Sequence, residues 1–172
     1  MSYNLAPPGI TKNDFLLCVQ NFCEEFTENF SIDLRLSILE NTDASFLKKD
    51  EILNLYRIVQ EALTNISKHA DAGEIVLLIR NQNESEEKGL YIFISDDGKG
   101  FDTEKVDSKK HFGLTGMKRR ADLIGAQVAV SSEKDCGTQI KIIKPVKSAT
   151  NVWGGGRWPA TIKHFLWWKT TP

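Results

Sequence analysis

Tryptophan is missing from the first 152 of the 172 residues, and all four copies (Trp153, Trp158, Trp167 and Trp168) lie near the C-terminus. Cysteine is scarce. Cys18, Cys23 and Cys136 form no Cys-x-x-Cys pair and no even disulfide set, and no histidine stands at metal-ligand spacing from them. That argues against structural zinc and points to a reducing, intracellular setting. No apolar run approaches the ~20 residues of a membrane span, and no basic stretch followed by an apolar segment opens the chain. No membrane contact is therefore expected of it. There is no excess of one charge: 22 Lys and Arg meet 23 Asp and Glu, for a net −1 and a pI near 6.3. A broadly basic nucleic-acid surface is excluded, so any anion binding must be local. What is present, 41% hydrophobic and 26% charged residues, suits one packed domain.

The charge is unevenly placed. Residues 146–172 hold four cations (Lys147, Arg157, Lys163, Lys169) and no acid, which leaves residues 1–145 with 18 cations against 23 acids, a net −5. Beside those cations stand Gly154-Gly155-Gly156 and Trp158-Pro159. The tail reads either as a basic aromatic docking segment or as an extension foreign to the domain. Glycine punctuation and clustering of a rare residue favour the second, so 146–172 is expected to be non-native or disordered. Residues 1–12 include Pro7-Pro8-Gly9, which disfavours helix, and 13–145 is expected to be the domain.

Phe15, Leu16, Val19, Phe22, Cys23 and Phe26 recur at helical spacing, predicting a helix over 13–28. Ile32, Leu34, Leu36 and Ile38 alternate with polar residues, predicting a strand. Further helices are predicted over 46–70 and 115–125, and strands over 74–82, 89–96, 127–133 and 138–144, with a loop over 97–113. This order predicts an α+β domain with helices on one face of a mixed sheet. The apolar runs Ile75 to Ile79 and Ile140 to Ile143 predict well-buried strands.

Four elements carry candidate chemistry. In the long helix, Ile52, Leu55, Tyr56, Val59, Leu63 and Ile66 form the core stripe, while Asn54, Glu61, Asn65 and Lys68 gather opposite with His69 at the margin. An ordinary solvated helix face has the same appearance. The strand ending at Ser95 runs into Asp96-Asp97-Gly98-Lys99-Gly100-Phe101, which places a carboxylate at a strand end beside two glycines that let backbone approach a flat ligand. Asp-Gly is also a common turn. His111 to Met117 leads into a helix whose first turn is expected to hold Lys118, Arg119 and Arg120, a set that opposes the helix dipole unless an anion binds there. Last, Cys136-Gly137-Thr138 puts a glycine and a hydroxyl between the final strands, which is equally what a plain hairpin requires.

In this order the four elements resemble the ATP-binding domain shared by histidine kinases, gyrase, the MutL mismatch-repair ATPases and the large heat-shock chaperones. The resemblance is closest to the catalytic domain of sensor histidine kinases of the nitrate-sensor and DesK type. Arg57 to Asn65 with Lys68-His69-Ala70 looks like the N-box, and Asp96 to Phe101 like the first glycine box. Gly113-Leu114-Thr115-Gly116-Met117 with Arg120 and Ala121 looks like the second, and Gly137-Thr138 like the closing pair. The resemblance spans about residues 5–145. It implies a two-layer α/β sandwich of the Bergerat ATP-binding type, with ATP and Mg²⁺ as cofactors.

Carried over residue by residue, the resemblance makes Asn65 a Mg²⁺ ligand through its carboxamide oxygen, with Glu61 tuning the metal shell or orienting water. Asp96 would accept from the adenine amino group, supported by Thr138, while Gly98 and Gly100 admit the backbone. Lys68 and His69 would lie on the phosphate side, and Gly113, Leu114, Gly116 and Met117 would border the nucleotide beneath a lid over 102–116. Two departures stand out: Arg119 replaces a common acid, and none of His69, His111 or His164 lies in a phosphoacceptor context. The resemblance therefore implies an excised cytoplasmic catalytic domain, expected to be a monomer, from a parent that could be membrane-anchored. Its partners would be upstream dimerisation and phosphoacceptor helices and a response regulator. A stand-alone ATPase or anti-sigma-type serine kinase is the enzymatic alternative, and a degenerate nucleotide-binding docking module the non-enzymatic one.

Overall fold

In the computed structural model, which describes residues 15–82, 88–102 and 112–146, helix α1 (Phe15–Asn29) buries Phe15, Val19, Phe22, Cys23 and Phe26. The Phe22 ring meets Tyr56 edge-on at 5.9 Å between centroids. Strand β1 (Asp33–Ile38) follows and turns Leu34, Leu36 and Ile38 toward the core. Helix α2 (Lys49–His69) starts where Glu51 Oε2 accepts from the Lys48 amide (2.9 Å), meeting a donor that no helical carbonyl reaches. Asp50 and Glu51 in its first turn and Lys68 and His69 in its last both suit the helix dipole. All six residues of the expected core stripe are buried, joined by Ile58 and Ala62.

Strands β2 (Glu74–Gln82) and β3 (Gly89–Asp96) have the predicted bounds. After helix α3 (Phe112–Ile124), strands β4 (Gln127–Ser132) and β5 (Thr138–Pro145) complete a five-stranded sheet in the order β1-β2-β3-β5-β4. Among the described residues only β1 and β2 pair in parallel, so the sheet is mixed, as expected. The described helices contribute to one core cluster with Ile75, Leu77, Ile79, Leu90, Ile92, Ile94, Ile140 and Ile142. Each such aliphatic side chain stabilises the fold by about 1.5–3 kcal/mol when fully buried.

Two expectations need correction. The apolar runs in β2 and β5 are buried on one face only: Val76, Leu78 and Ile143 are half-buried on the other. There Arg80 lies 4.6 Å from the Tyr91 ring and Lys141 6.0 Å from that of Phe93, so cationic side chains shelter apolar surface. The second concerns α3, which begins three residues early. Its first turn holds Phe112 to Thr115, and the exposed Lys118, Arg119 and Arg120 fall in mid-helix. Because the dipole acts within the terminal turns, these cations do not oppose it, and the anion argument built on them fails.

Away from the strand ends that carry the candidate chemistry, Glu51 and Lys144 bury a charge pair at 3.1 Å, 4% and 1% exposed. Lys144 Nζ also donates to the Pro145 carbonyl (2.9 Å). The pair fixes the start of α2 against the end of β5. The expected segments 1–12 and 146–172 lie, except for Val146, outside the described residues.

Candidate functional site

A cavity of about 470 Å³ opens between the C-terminal half of α2, the end of β3, the first half of α3 and the start of β5. Its floor is apolar, with Ala62 and Ile66 from α2, Leu114 and Met117 from α3 and Ile140 from β5. Into it come the polar groups of Asn65, His69, Asp96, Lys99 and Thr138, with the backbone of Gly100 and Gly113. Size, apolar lining and a few convergent polar groups are what a small-molecule site requires.

Asp96 is the central polar residue. It ends β3, is paired in register with Thr138 on β5, and is 6% exposed. Its Oδ1 accepts from the Gly98 amide (2.9 Å), whereas Oδ2 is buried with no hydrogen-bond partner. Burial pushes the carboxyl above the usual carboxylate range, opposed by the Gly98 amide and by the amide and hydroxyl of Thr138, while the neighbouring Asp97 adds to the rise. An orphaned buried acceptor costs about 1–3 kcal/mol unless a donor reaches it. Asp97, by contrast, serves the fold: its Oδ1 accepts from the amides of Gly73 (2.8 Å) and Glu74 (2.9 Å), and these backbone donors, Glu74 foremost, hold its carboxyl below the ordinary range.

At the other end of the cavity, Asn65 Nδ2 donates to Glu61 Oε1 (3.2 Å), one turn earlier on α2. The first turn of α3 is pressed against this pair. A Cβ on Gly113 would stand 2.5 Å from Glu61 Oε1 and 2.8 Å from Asn65 Nδ2, so glycine allows this approach with both side chains left in place. The unshared amides of a helix start are thereby brought beside an amide oxygen and a carboxylate. Among the described residues no three His, Cys, Asp or Glu side chains converge as a metal cluster. Asn65 and Glu61 are instead a sparse hard-oxygen set, fitting a cation that keeps waters and takes further oxygens from a phosphate.

Of the predicted residues, Asn65, His69, Asp96, Gly100, Gly113, Leu114, Met117 and Thr138 line the cavity. Glu61 joins through Asn65. Three others stand apart from that lining: Lys68 is exposed, Gly98 packs on the Ala70 carbonyl, and Gly116 has open space around it. Lys99 and Phe101 stand within the Asp96–Phe101 motif with no role expected of their side chains, and Ser132 lies outside the four candidate elements. Lys99 Nζ pairs with Asp71 (2.9 Å) in an exposed contact of little energetic weight. Ser132 lies opposite Thr138 in the β4–β5 hairpin and bonds to the Phe101 amide (2.9 Å) and the Gly137 carbonyl (2.8 Å). Gly137 has φ +73°, and a Cβ there would collide with the Asp96 carbonyl oxygen, which explains the glycine preceding Thr138. The register of the β4–β5 hairpin, which pairs Ser132 with Thr138, is the signal that points to Ser132. The greater part of the expected lid, 103–111, is outside the described residues.

Residues 50–148 match the family model of the histidine kinase-, DNA gyrase B- and HSP90-like ATPases. The sensor histidine kinase YdfH of Bacillus subtilis (strain 168) is 42% identical over 142 residues, covering 81% of this chain and 32% of that protein. The sensor histidine kinase LiaS of the same organism is 32% identical over 123 residues, covering 72% of this chain and 32% of that protein. Among solved structures, the histidine kinase domain from the Erythrobacter litoralis EL346 blue-light activated histidine kinase superposes with a TM-score of 0.59 at 20% identity, covering 80% of this chain and 66% of that one. The chain spans about a third of the length of these curated relatives. The family match over more than half of its length shows that the chain belongs to the histidine kinase-, DNA gyrase B- and HSP90-like ATPase family, and the superposition shows the same fold. Both of these curated relatives are sensor histidine kinases.

Proposed function

We propose that this domain binds ATP with Mg²⁺ and donates the γ-phosphoryl group to a histidine on a dimerisation domain, for relay to a response regulator in the cytoplasm. The single observation that carries the nucleotide assignment is the orphaned, buried Asp96 Oδ2 in a cavity with an apolar floor. The adenine amino group supplies the donor it lacks, and a guanine carbonyl in that place would leave two acceptors facing one another. Thr138 supports the same base edge, and Ile66, Met117 and Ile140 provide flat apolar contact. Asn65 and Glu61 would hold Mg²⁺, which when bound offsets charge on the phosphate oxygens. The first-turn amides at Gly113 and Leu114, with His69, face the phosphate side.

The reaction breaks the bond between the γ-phosphorus and the β-bridging oxygen, releases ADP, and forms a phosphorus–nitrogen bond on the acceptor imidazole. Phosphoryl transfer requires positioning and charge neutralisation more than covalent help from the protein. This matches a site that fixes a base at one end and holds oxygen ligands at the other. Support for the histidine acceptor comes from the sensor-kinase relatives. A hydrolytic role is the second reading, favoured by one observation: Glu61, a carboxylate able to orient water, is bonded to Asn65.

Calorimetric titration with a non-hydrolysable ATP analogue, with and without Mg²⁺, tests the proposal beside Asp96→Asn. The expected result is saturable, Mg²⁺-enhanced binding that the variant loses while keeping its thermal transition. Equal binding by the variant would remove the adenine assignment. Turnover of ATP by the isolated chain, with no acceptor domain added, would favour hydrolysis.

A further inference from the structure

Ser132 Oγ occupies a junction that the proposed nucleotide chemistry leaves unused. It donates to the Gly137 carbonyl (2.8 Å), accepts from the Phe101 amide (2.9 Å), and lies 3.0 Å from Thr138 Oγ1. A serine hydroxyl has one proton and two acceptor positions. A carbonyl can only accept and an amide can only donate, so the Ser132 proton is committed to Gly137 and one acceptor position to Phe101. One polarity is left for the third contact: Thr138 donates and Ser132 accepts.

Thr138 also has a single proton, and the carboxylate of its register partner Asp96 is the neighbouring acceptor. Thr138 is the cross-strand partner of Asp96, which sets the two residues side by side at the strand ends. Asp96 Oδ2 has no hydrogen-bond partner, and with the Thr138 proton turned to Ser132 none comes from the threonine. We infer that Ser132 is a positioning residue for base recognition: by holding the Thr138 proton it keeps Asp96 Oδ2 and Thr138 Oγ1 together as acceptors, so the cavity demands an amino-bearing base edge. This rests on the adenine assignment of Asp96 proposed above. Without the Ser132 hydroxyl, Thr138 turns its proton to Asp96. The carboxylate is then satisfied from within, and a ligand amino group has to displace that bond instead of filling an empty position.

The test compares ATP with purine riboside triphosphate, which lacks the exocyclic amino group, by calorimetry on the wild-type chain and on Ser132→Ala. The wild type should prefer ATP by roughly tenfold or more, the worth of a hydrogen bond to a charged group. Ser132→Ala should lose most of that preference through weaker ATP binding, with the affinity for purine riboside triphosphate nearly unchanged. Ser132→Thr, which keeps the hydroxyl, should restore the preference. In a Thr138→Val background, where there is no proton to place, adding Ser132→Ala should not change the preference further. Equal weakening of both nucleotides by Ser132→Ala, or an unaltered preference, would reduce Ser132 to a structural role and overturn the inference. A wild type that binds both nucleotides equally would instead remove the adenine assignment and the inference with it. If Ser132→Ala shows no native thermal transition, Ser132→Cys, of similar size with a weak donor, carries the same comparison with the same deciding outcomes.

Discussion

Substituting the two glycines of α3 one at a time separates helix propensity from site geometry. Gly116 lies in the helix with nothing within 4 Å of the position a methyl group would take, so Gly116→Ala gains only the propensity difference, about 1 kcal/mol. For a domain of this size that raises the melting temperature by roughly 2–4 °C. Gly113→Ala stands to gain no more, but its methyl group would meet Glu61 Oε1 at 2.5 Å and Asn65 Nδ2 at 2.8 Å. Both contacts are side-chain ends, so the conflict is relieved by turning them out of their rotamers at a cost of about 1 kcal/mol each. The expected net effect on stability is a loss of about 1 kcal/mol, while the oxygen pair proposed to hold Mg²⁺ is displaced. Misplacing such ligands typically weakens metal-dependent affinity by roughly tenfold or more. Differential scanning calorimetry of both variants, followed by titration with the ATP analogue with and without Mg²⁺, reads the two effects separately. Gly116→Ala should bind as the parent does, and Gly113→Ala should lose chiefly the Mg²⁺-dependent increment. If Gly113→Ala were as stabilising as Gly116→Ala and bound normally, the close approach of α3 to Glu61 and Asn65 would not govern the site.

The buried pair of Glu51 and Lys144 should be more sensitive to halving than to removal: Lys144→Met alone should cost about 3–5 kcal/mol in urea unfolding, and adding Glu51→Leu should recover much of it. Equal losses in the single and double variants would contradict this. Because Asp96 has a raised pKa in the fold, its contribution to stability is fully present below the unfolded-state value near 3.9 and is lost as pH rises through the folded-state value. Melting of ligand-free Asp96→Asn should therefore exceed that of the parent at pH 7, with the gap narrowing on acidification; a gap constant with pH would refute the assignment. Burial pushes the Cys23 thiol up to about 12, whereas Cys136 is exposed. Iodoacetamide at pH 8, followed by peptide mapping, should label Cys136 in the folded protein and Cys23 only after unfolding.

The strands and α2 were legible because each has a strong local signal: alternation in β1, bounding turn residues around β2 and β3, and a six-residue apolar stripe in α2. The start of α3 was not, since glycines at 113 and 116 argue against helix by propensity, while the long-range approach of Gly113 to α2 decides the matter. Asp96, Asn65 and Thr138 could be read from motif order, and the cavity gathers them. Lys68 is exposed outside the cavity lining while its neighbour His69 lines it, because one step along the last turn of α2 rotates a side chain by about 100°. Ser132, Lys99 and Phe101 owe their places to hairpin register and to the Asp135 amide bonding the Lys99 carbonyl (2.7 Å), contacts that spacing along the chain does not reveal.

Helix α2 is anchored to β5 near one end by Glu51 and reaches the cavity at the other through Asn65 and His69. Its 21 residues, about 31 Å at 1.5 Å each, run without a proline or glycine. That makes length and phase inseparable. Inserting one residue between Glu51 and Asn65 would turn everything beyond it by about 100° and carry Asn65 off the cavity, whereas a longer connection between two strands would not alter this spacing. Relatives of this chain should therefore differ in length in their strand connections and keep a constant count of residues from Glu51 to Asn65.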